Sequence, residues 1–307
     1  MNKAVVLLNM GAARSKDELK EFLTNMFNDK NIVNIKNNKI RSMLANYIIK
    51  SRLDEAWIGY KTIGGSSPLY RYTESLVEKL QAILPNIYIT YAMRYTKPYA
   101  KECIDLIKQK NITEVLLIPL YPQYSTTTTK SSLEQFGILS KSNLKINYIE
   151  NFYKNKTLNE IISDEIIKRT NGQSDYNLIF SAHGLPQSTI NKGDPYQIQT
   201  QEHIELIKKC LKEKEATFAT ISLAYQSKVG PMRWLTPSLS SVLKKFKNQK
   251  VLVYPISFMI DNSETIYELC FFYNKVAMKY GCKEYKICSC PNDKKRVVDM
   301  IKDMIDQ

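Results

Sequence analysis

His183 is one of only two histidines in 307 residues. It closes an apolar run, Leu178-Ile179-Phe180, that passes through Ser181 and Ala182 and is followed by Gly184, Leu185 and Pro186. A neutral imidazole can accept a proton or touch a transition metal, and its ordinary pKa of about 6.5 leaves it neutral at physiological pH. The small neighbours Ser181, Ala182 and Gly184 suggest space for something to approach the ring. The competing reading is a packed, hydrogen-bonded histidine.

A second group lies in Ser257–Leu269, SFMIDNSETIYEL. Asp261, Asn262 and Ser263 are suited to cap a helix starting near Glu264. Glu264 and Glu268 then share one helical face. They are either a solvated acidic helix start, which the helix dipole favours, or crowded carboxylates able to relay protons, with one pKa raised. The Leu269, Cys270, Phe271 and Phe272 that follow read as buried.

The third group is YQSKVGPMRWLTPS, Tyr225–Ser238. Trp234, one of two tryptophans, suits the floor of a site for a flat apolar ligand and equally suits a structural plug. Lys228 and Arg233 are placed to meet carboxylates. Together the three groups offer an imidazole, two carboxylates, an aromatic and cations. That set suits a flat, apolar molecule with acidic tails, which has protons to lose or a divalent cation to take up.

These groups need elements to hold them. Apolar, β-branched runs at Ala4–Asn9, Ile87–Ala92, Val115–Leu120, Lys145–Ile149, Leu178–Ser181, Thr217–Leu223 and Val251–Pro255 read as strands. Amphipathic stretches at Tyr72–Ile83, Ala100–Lys110, Leu158–Arg169, Ile198–Lys212 and Ser263–Tyr280 read as helices. Continuous apolar strands alternating with helices predict parallel sheets covered on both faces. The expected fold is α/β, with two similar Rossmann-like lobes, 1–150 and 151–307, and an active-site cleft between them. Glu150–Thr157 is the expected crossing, and the segment from Tyr285 is expected to pack back on the first lobe. The chemistry-bearing residues follow strands, where ligands sit in open α/β sheets.

Several classes are excluded. There is no G-x-G-x-x-G, no phosphate-binding P-loop and no G-x-S-x-G elbow. Hydrophobic residues make up 44% of the chain and charged residues 24%, as in a globular protein. No apolar run approaches the roughly 18 residues of a membrane span. The N-terminal apolar run reads as a first strand, so a cytoplasmic protein is expected. The net charge of +14 is spread over scattered lysines. It carries no nucleic-acid signature and leaves open attraction to an anionic membrane or an acidic small molecule. The six cysteines read as reduced thiols, with a metal-thiolate site at Cys288 and Cys290 as the alternative.

The motifs LLNMG, IGGSSPL, YAMRYTKP, YPQYSTTTTKSSL, SAHGLPQSTINKGDPY, QSKVGPMRWLTPSL and ISFMIDNSETIYEL resemble, in order and over nearly the whole chain, those of the ferrochelatases. The resemblance implies an enzyme of haem biosynthesis, a lyase that inserts Fe²⁺ into protoporphyrin IX with loss of two protons. It implies His183 and Glu264 as metal-site residues, and His183, Glu264 and Glu268 as catalytic. Met10, Arg52, Ser67, Arg94, Tyr95, Tyr121, Ser227, Lys228 and Trp234 are implied as porphyrin-binding. Two departures stand out. Asn262 occupies a position where the family usually has histidine. Thr126 stands where cluster-bearing members have a cysteine, so no iron–sulfur cluster and no tightly bound cofactor is expected. The alternatives are a chelatase for coproporphyrin or a cobalt-accepting ring, and a non-catalytic haem- or metal-binding protein on the same scaffold. A monomer is expected. The amphipathic segment Arg41–Tyr60, with Met43, Leu44, Tyr47 and Ile48 as an apolar lip, either docks on an anionic membrane or packs on the core.

Overall fold

In the computed structural model the described residues are 2–139, 144–228 and 230–306, with the side chains of 138 and 139 left out. Val229, in the third motif, lies outside them. The chain divides into two compact units, Met1–Asn151 with Val298–Gln307, and Phe152–Val297.

The first unit is built on β1 (Lys3–Asn9), β2 (Tyr88–Met93), β3 (Glu114–Pro119) and β4 (Lys145–Tyr148). The second is built on β5 (Tyr176–His183), β6 (Thr220–Gln226), β7 (Lys250–Pro255) and β8 (Glu284–Ile287). All pairings are parallel, and the spatial orders are β2-β1-β3-β4 and β6-β5-β7-β8. The two units thus repeat one topology, an α/β arrangement with helices flanking each sheet. In both central strands nearly every residue is buried, which explains their unbroken apolar runs.

Two differences from the sequence expectation concern local signals. β8 carries Glu284 and Lys286 in four edge residues, too short and too charged to announce itself. Helix Lys16–Phe27 was not anticipated, although Ser15 caps the backbone N–H of Glu18 and Glu18 in turn accepts from the backbone of Arg14. Helix Lys295–Asp306 starts in the second unit and ends in the first, where Lys3 Nζ donates to Ile305 O at 3.2 Å.

In each sheet the chain moves from its first strand to one neighbour and then crosses to the other side. The reversal lies between β1 and β3, and between β5 and β7. Crevices beyond the carboxyl ends of strands at such a reversal are where open α/β sheets bind ligands. In the second unit β5 ends on His183 and is followed by Gly184–Pro186, and β7 is followed by Ile256–Glu264, two of the three sequence groups.

Candidate active site

His183 is the last residue of β5, and its backbone is gripped where the ladder runs out. Pro255 ends β7 and has no N–H to donate. Ile256 N still bonds Ser181 O at 3.0 Å. Beyond it side chains take over: His183 N–H donates to Ser257 Oγ at 3.1 Å, and Tyr196 O–H donates to His183 O at 2.9 Å. The two hydroxyls lie 2.6 Å apart.

The small residues beside His183 have a different role from the one expected. Gly184 N–H bonds Gln226 O at 2.9 Å, and a Cβ at 184 would stand 2.6 Å from that oxygen and 3.4 Å from the Trp234 ring. Glycine is required there by the neighbouring strand, not to clear a path to the imidazole. Trp234 packs on this point. Its flanks pair with the strand exit through Leu235 N to Leu185 O (3.0 Å) and Gln187 N to Arg233 O (2.8 Å). Its indole N–H is buried with no partner among the described residues.

Glu264 begins a π-helix, Glu264–Phe272, a rare wide-turned form that is frequent at functional sites. Asn262 is its cap: the side-chain oxygen accepts from Glu264 N at 2.8 Å and Thr265 N at 3.1 Å. Asp261 is buried and braces the same turn by accepting from Thr265 Oγ1 (2.9 Å) and Asn292 Nδ2 (2.7 Å). Leu269 is buried as expected, but Phe271 and Phe272 are 42% and 47% exposed.

His183 Nδ1 lies 3.3 Å from Glu264 Oε1, with the side chains 34% and 38% exposed. Burial works against the imidazolium, but the Glu264 and Glu268 carboxylates outweigh it and the His183 pKa is raised. Glu268 is more enclosed. It accepts from Ser227 N at 3.0 Å, from Gln226 Nε2 at 3.1 Å and from Ser227 Oγ. Burial pushes its pKa up; Ser227 and Gln226 pull the other way, while Glu264 adds to the rise. The pair is an imidazole and a carboxylate able to share a proton or two ligands, with a second carboxylate behind.

In the first unit, Met10 follows β1 and is partly exposed. The ends of β1 and β2 interlock through Arg94 N to Asn9 O (2.8 Å) and Tyr95 N to Met10 O (2.9 Å). Arg94 is held by buried Asp29: its guanidinium reaches Oδ2 at 2.9 Å and Ser131 Oγ at 2.8 Å. Tyr95 is enclosed. It is 0% exposed with its hydroxyl on Asp29 at 2.9 Å, so in this arrangement it braces Arg94 and has no surface for a ligand. Ser67 and Tyr121 keep only 4% and 8% exposure; Ser67 Oγ accepts from Leu69 N and Tyr121 faces Ser132. Arg52 is partly exposed on helix Asn38–Thr62, and Lys228 is exposed.

Sequence reasoning missed Asp29, Ser181, Tyr196, Gln226 and Ser257. A polar residue directly after the apolar run Leu178-Ile179-Phe180 was the available signal for Ser181. Tyr196 closes the motif that contains His183, whereas Asp29 reaches its partners across more than 60 positions and gave no signal. All six cysteines are free, and burial raises the thiol pKa of Cys288 and Cys290 well above the ordinary range. Among the described residues no group of three or more His, Cys, Asp or Glu side chains is arranged to hold a metal.

Helix Asn38–Thr62 turns Ala45, Ile49 and Tyr60 inward and leaves Met43 and Tyr47 73% and 74% exposed. Leu44 is exposed as well, and Ile48 is partly buried. Among the described residues no helix is long and apolar enough to cross a membrane.

Comparison with known proteins converges on one family. The ferrochelatase family model matches residues 2–307. A ferrochelatase of a Nitratiruptor species is 48% identical, over 98% of this chain and 98% of the relative. That of Sulfurimonas denitrificans is 47% identical at the same coverage of both, and one from Helicobacter pylori is 41% identical over 98% of this chain and 93% of the relative. Among solved structures, SirB from Bacillus subtilis with Fe³⁺ aligns with TM-score 0.57 and 10% identity, over 100% of this chain and 95% of that one. CbiX, a terminal enzyme of sirohaem biosynthesis in denitrifying bacteria, aligns with TM-score 0.54 and 11% identity, over 100% and 98%. At such low identity these two speak to the fold alone.

Proposed function

The chain belongs to the ferrochelatase family, and on that premise we propose that it inserts Fe²⁺ into protoporphyrin IX through the His183–Glu264 pair. The balance is simple: the porphyrin loses two pyrrole N–H protons, its four nitrogens take the metal, and the product is protohaem. His183 accepts the two pyrrole protons one at a time, passing the first on before it takes the second. With Nδ1 turned to Glu264, Nε2 is the nitrogen that meets substrate. Glu264 stabilises the imidazolium as it forms, and Glu268 provides the next carboxylate for the departing proton. Imidazole and carboxylate both suit a ferrous ion, and a two-residue donor set suits a metal that must be handed on. The iron is substrate. We assign no resident cluster, because a cluster usually takes four cysteine ligands, whereas Cys288 and Cys290 are only two and the other four cysteines are dispersed along the chain.

The observation that carries this reading is the 3.3 Å approach of His183 to Glu264 at the strand reversal. Anaerobic mixing of the protein with protoporphyrin and Fe²⁺, followed by loss of porphyrin fluorescence, tests it. Turnover dependent on His183 is expected. Tight product binding without turnover would mark a carrier instead, and faster turnover of coproporphyrin would change the substrate. Met10, Arg52, Arg94 and Lys228 remain as porphyrin contacts in this reading, with Ser227 and Trp234 bordering the ring site.

The exposed Met43, Leu44 and Tyr47 support a further part of the reading: a cytoplasmic protein that docks reversibly on an anionic bilayer, where an apolar porphyrin partitions. Co-sedimentation with phosphatidylserine vesicles at low salt should be lost in Met43→Ser/Tyr47→Ser. Equal binding by parent and variant, or none by the parent, rejects docking through this lip.

A further inference from the structure

We propose that Gln226 is a positioning residue, holding Glu268 in place relative to His183 through a one-way hydrogen-bond chain that starts at Ser181. This rests on the reading of Glu268 as part of the proton path.

The register of the second sheet pairs Ser181 with Ala224 and His183 with Gln226. Side chains two apart on a strand share a face, as do register partners on parallel strands. Ser181, His183 and Gln226 therefore point to the same side of the sheet. Ser181 is 0% exposed and Gln226 1%. A buried amide is costly unless its groups are bonded. Here they are: Ser181 Oγ donates to Gln226 Oε1 at 2.7 Å, and Gln226 Nε2 donates to Glu268 Oε2 at 3.1 Å.

The direction of the chain follows from chemistry. An ionised carboxylate only accepts. With Glu268 ionised, the reversed amide would set its carbonyl oxygen against the carboxylate, so Nε2 faces Glu268, as observed. Oε1 then faces Ser181, whose hydroxyl is obliged to donate. The other donors to Glu268 come from Ser227, which sits at φ 64° just before the exposed Lys228. Gln226 is the donor anchored inside the sheet, directly beside His183. A shift of the carboxylate of about 1 Å would be costly to a relay, on the order of 100-fold in rate at the extreme.

The test is a set of single and double variants assayed with protoporphyrin and Fe²⁺. Gln226→Met keeps length and removes the donors. It should lower kcat roughly tenfold or more while leaving the KM for porphyrin unchanged. In a Glu268→Gln background, already slowed, Gln226→Met should cost nothing further, because both act through one carboxylate. A purely structural Gln226 predicts the same fractional loss in both backgrounds, and that result overturns the proposal, as does full kcat in Gln226→Met. If Gln226→Met does not fold, Ser181→Ala removes only the hydroxyl and should show the same non-additive loss; an independent loss overturns the proposal. Glu268→Gln with undiminished kcat would instead remove Glu268 from the chemistry, a separate failure of the underlying reading.

Discussion

His183 Nδ1 stands 3.3 Å from Glu264 Oε1, although 81 positions separate them in the chain. One is the final residue of a central strand and the other the first of a π-helix. The approach is made by two gripping arrangements, Ser257 and Tyr196 on the histidine backbone and Asn262 on the helix start. None of these three needs to touch substrate.

His183→Ala is expected to melt at nearly the parent temperature and to lose about 100-fold or more in iron insertion, the usual scale of a lost general base. The strand grip uses the backbone of residue 183, which alanine retains. Melting temperature and turnover measured on one preparation decide it. A destabilised but active variant would make the histidine structural.

Glu264→Gln should keep porphyrin binding and lose most turnover. Glu268→Gln should lose less, with water partly replacing the relay. Its fold should survive, because the Gln226 amide can reverse and Ser181 can accept instead of donate. Porphyrin fluorescence titration alongside kcat separates binding from chemistry in both.

The other histidine predicts acid sensitivity. His203 is 0% exposed, and burial depresses its pKa to about 3. The unfolded chain, near 6.5, binds this proton first as pH falls. The contribution of neutral His203 is therefore fully present above about pH 6.5 and declines toward pH 3, by at most about 1.4 kcal/mol per pH unit. Urea unfolding at pH 7 and pH 5 should show that decline, and His203→Gln should flatten it. An unchanged slope in the variant contradicts the assignment.

Asp29→Ala should destabilise the first unit by about 3 kcal/mol, since it leaves Arg94, Tyr95 and Ser131 without their common acceptor. Thermal melting measures this directly. A shift near zero would mean that water replaces the carboxylate.

Gly184→Ala forces a Cβ to 2.6 Å from the Gln226 carbonyl oxygen. The ends of β5 and β6 must part, at a cost of about 1–3 kcal/mol, and His183 must move with them. Both stability and kcat should fall. Retained kcat would show that the strand ends tolerate separation.

Much of the fold was legible because its signals are local. Seven strands show as apolar runs, the helices between them as amphipathic stretches, and alternation of the two dictates parallel sheets. His183, Glu264 and Glu268 could be named because an isolated imidazole and paired carboxylates are chemically conspicuous at strand exits. The tertiary structure alone decided what holds them. Tyr95 became a buried brace, and Gly184 a requirement of the neighbouring strand. Gln226 and Ser181 became a tether on Glu268, and Asp29 the common acceptor for three donors. These roles depend on strand register and on contacts between segments tens of residues apart. Hydrogen bonds act over about 3 Å in space, and no periodicity or spacing along the chain encodes which distant atoms will come that close.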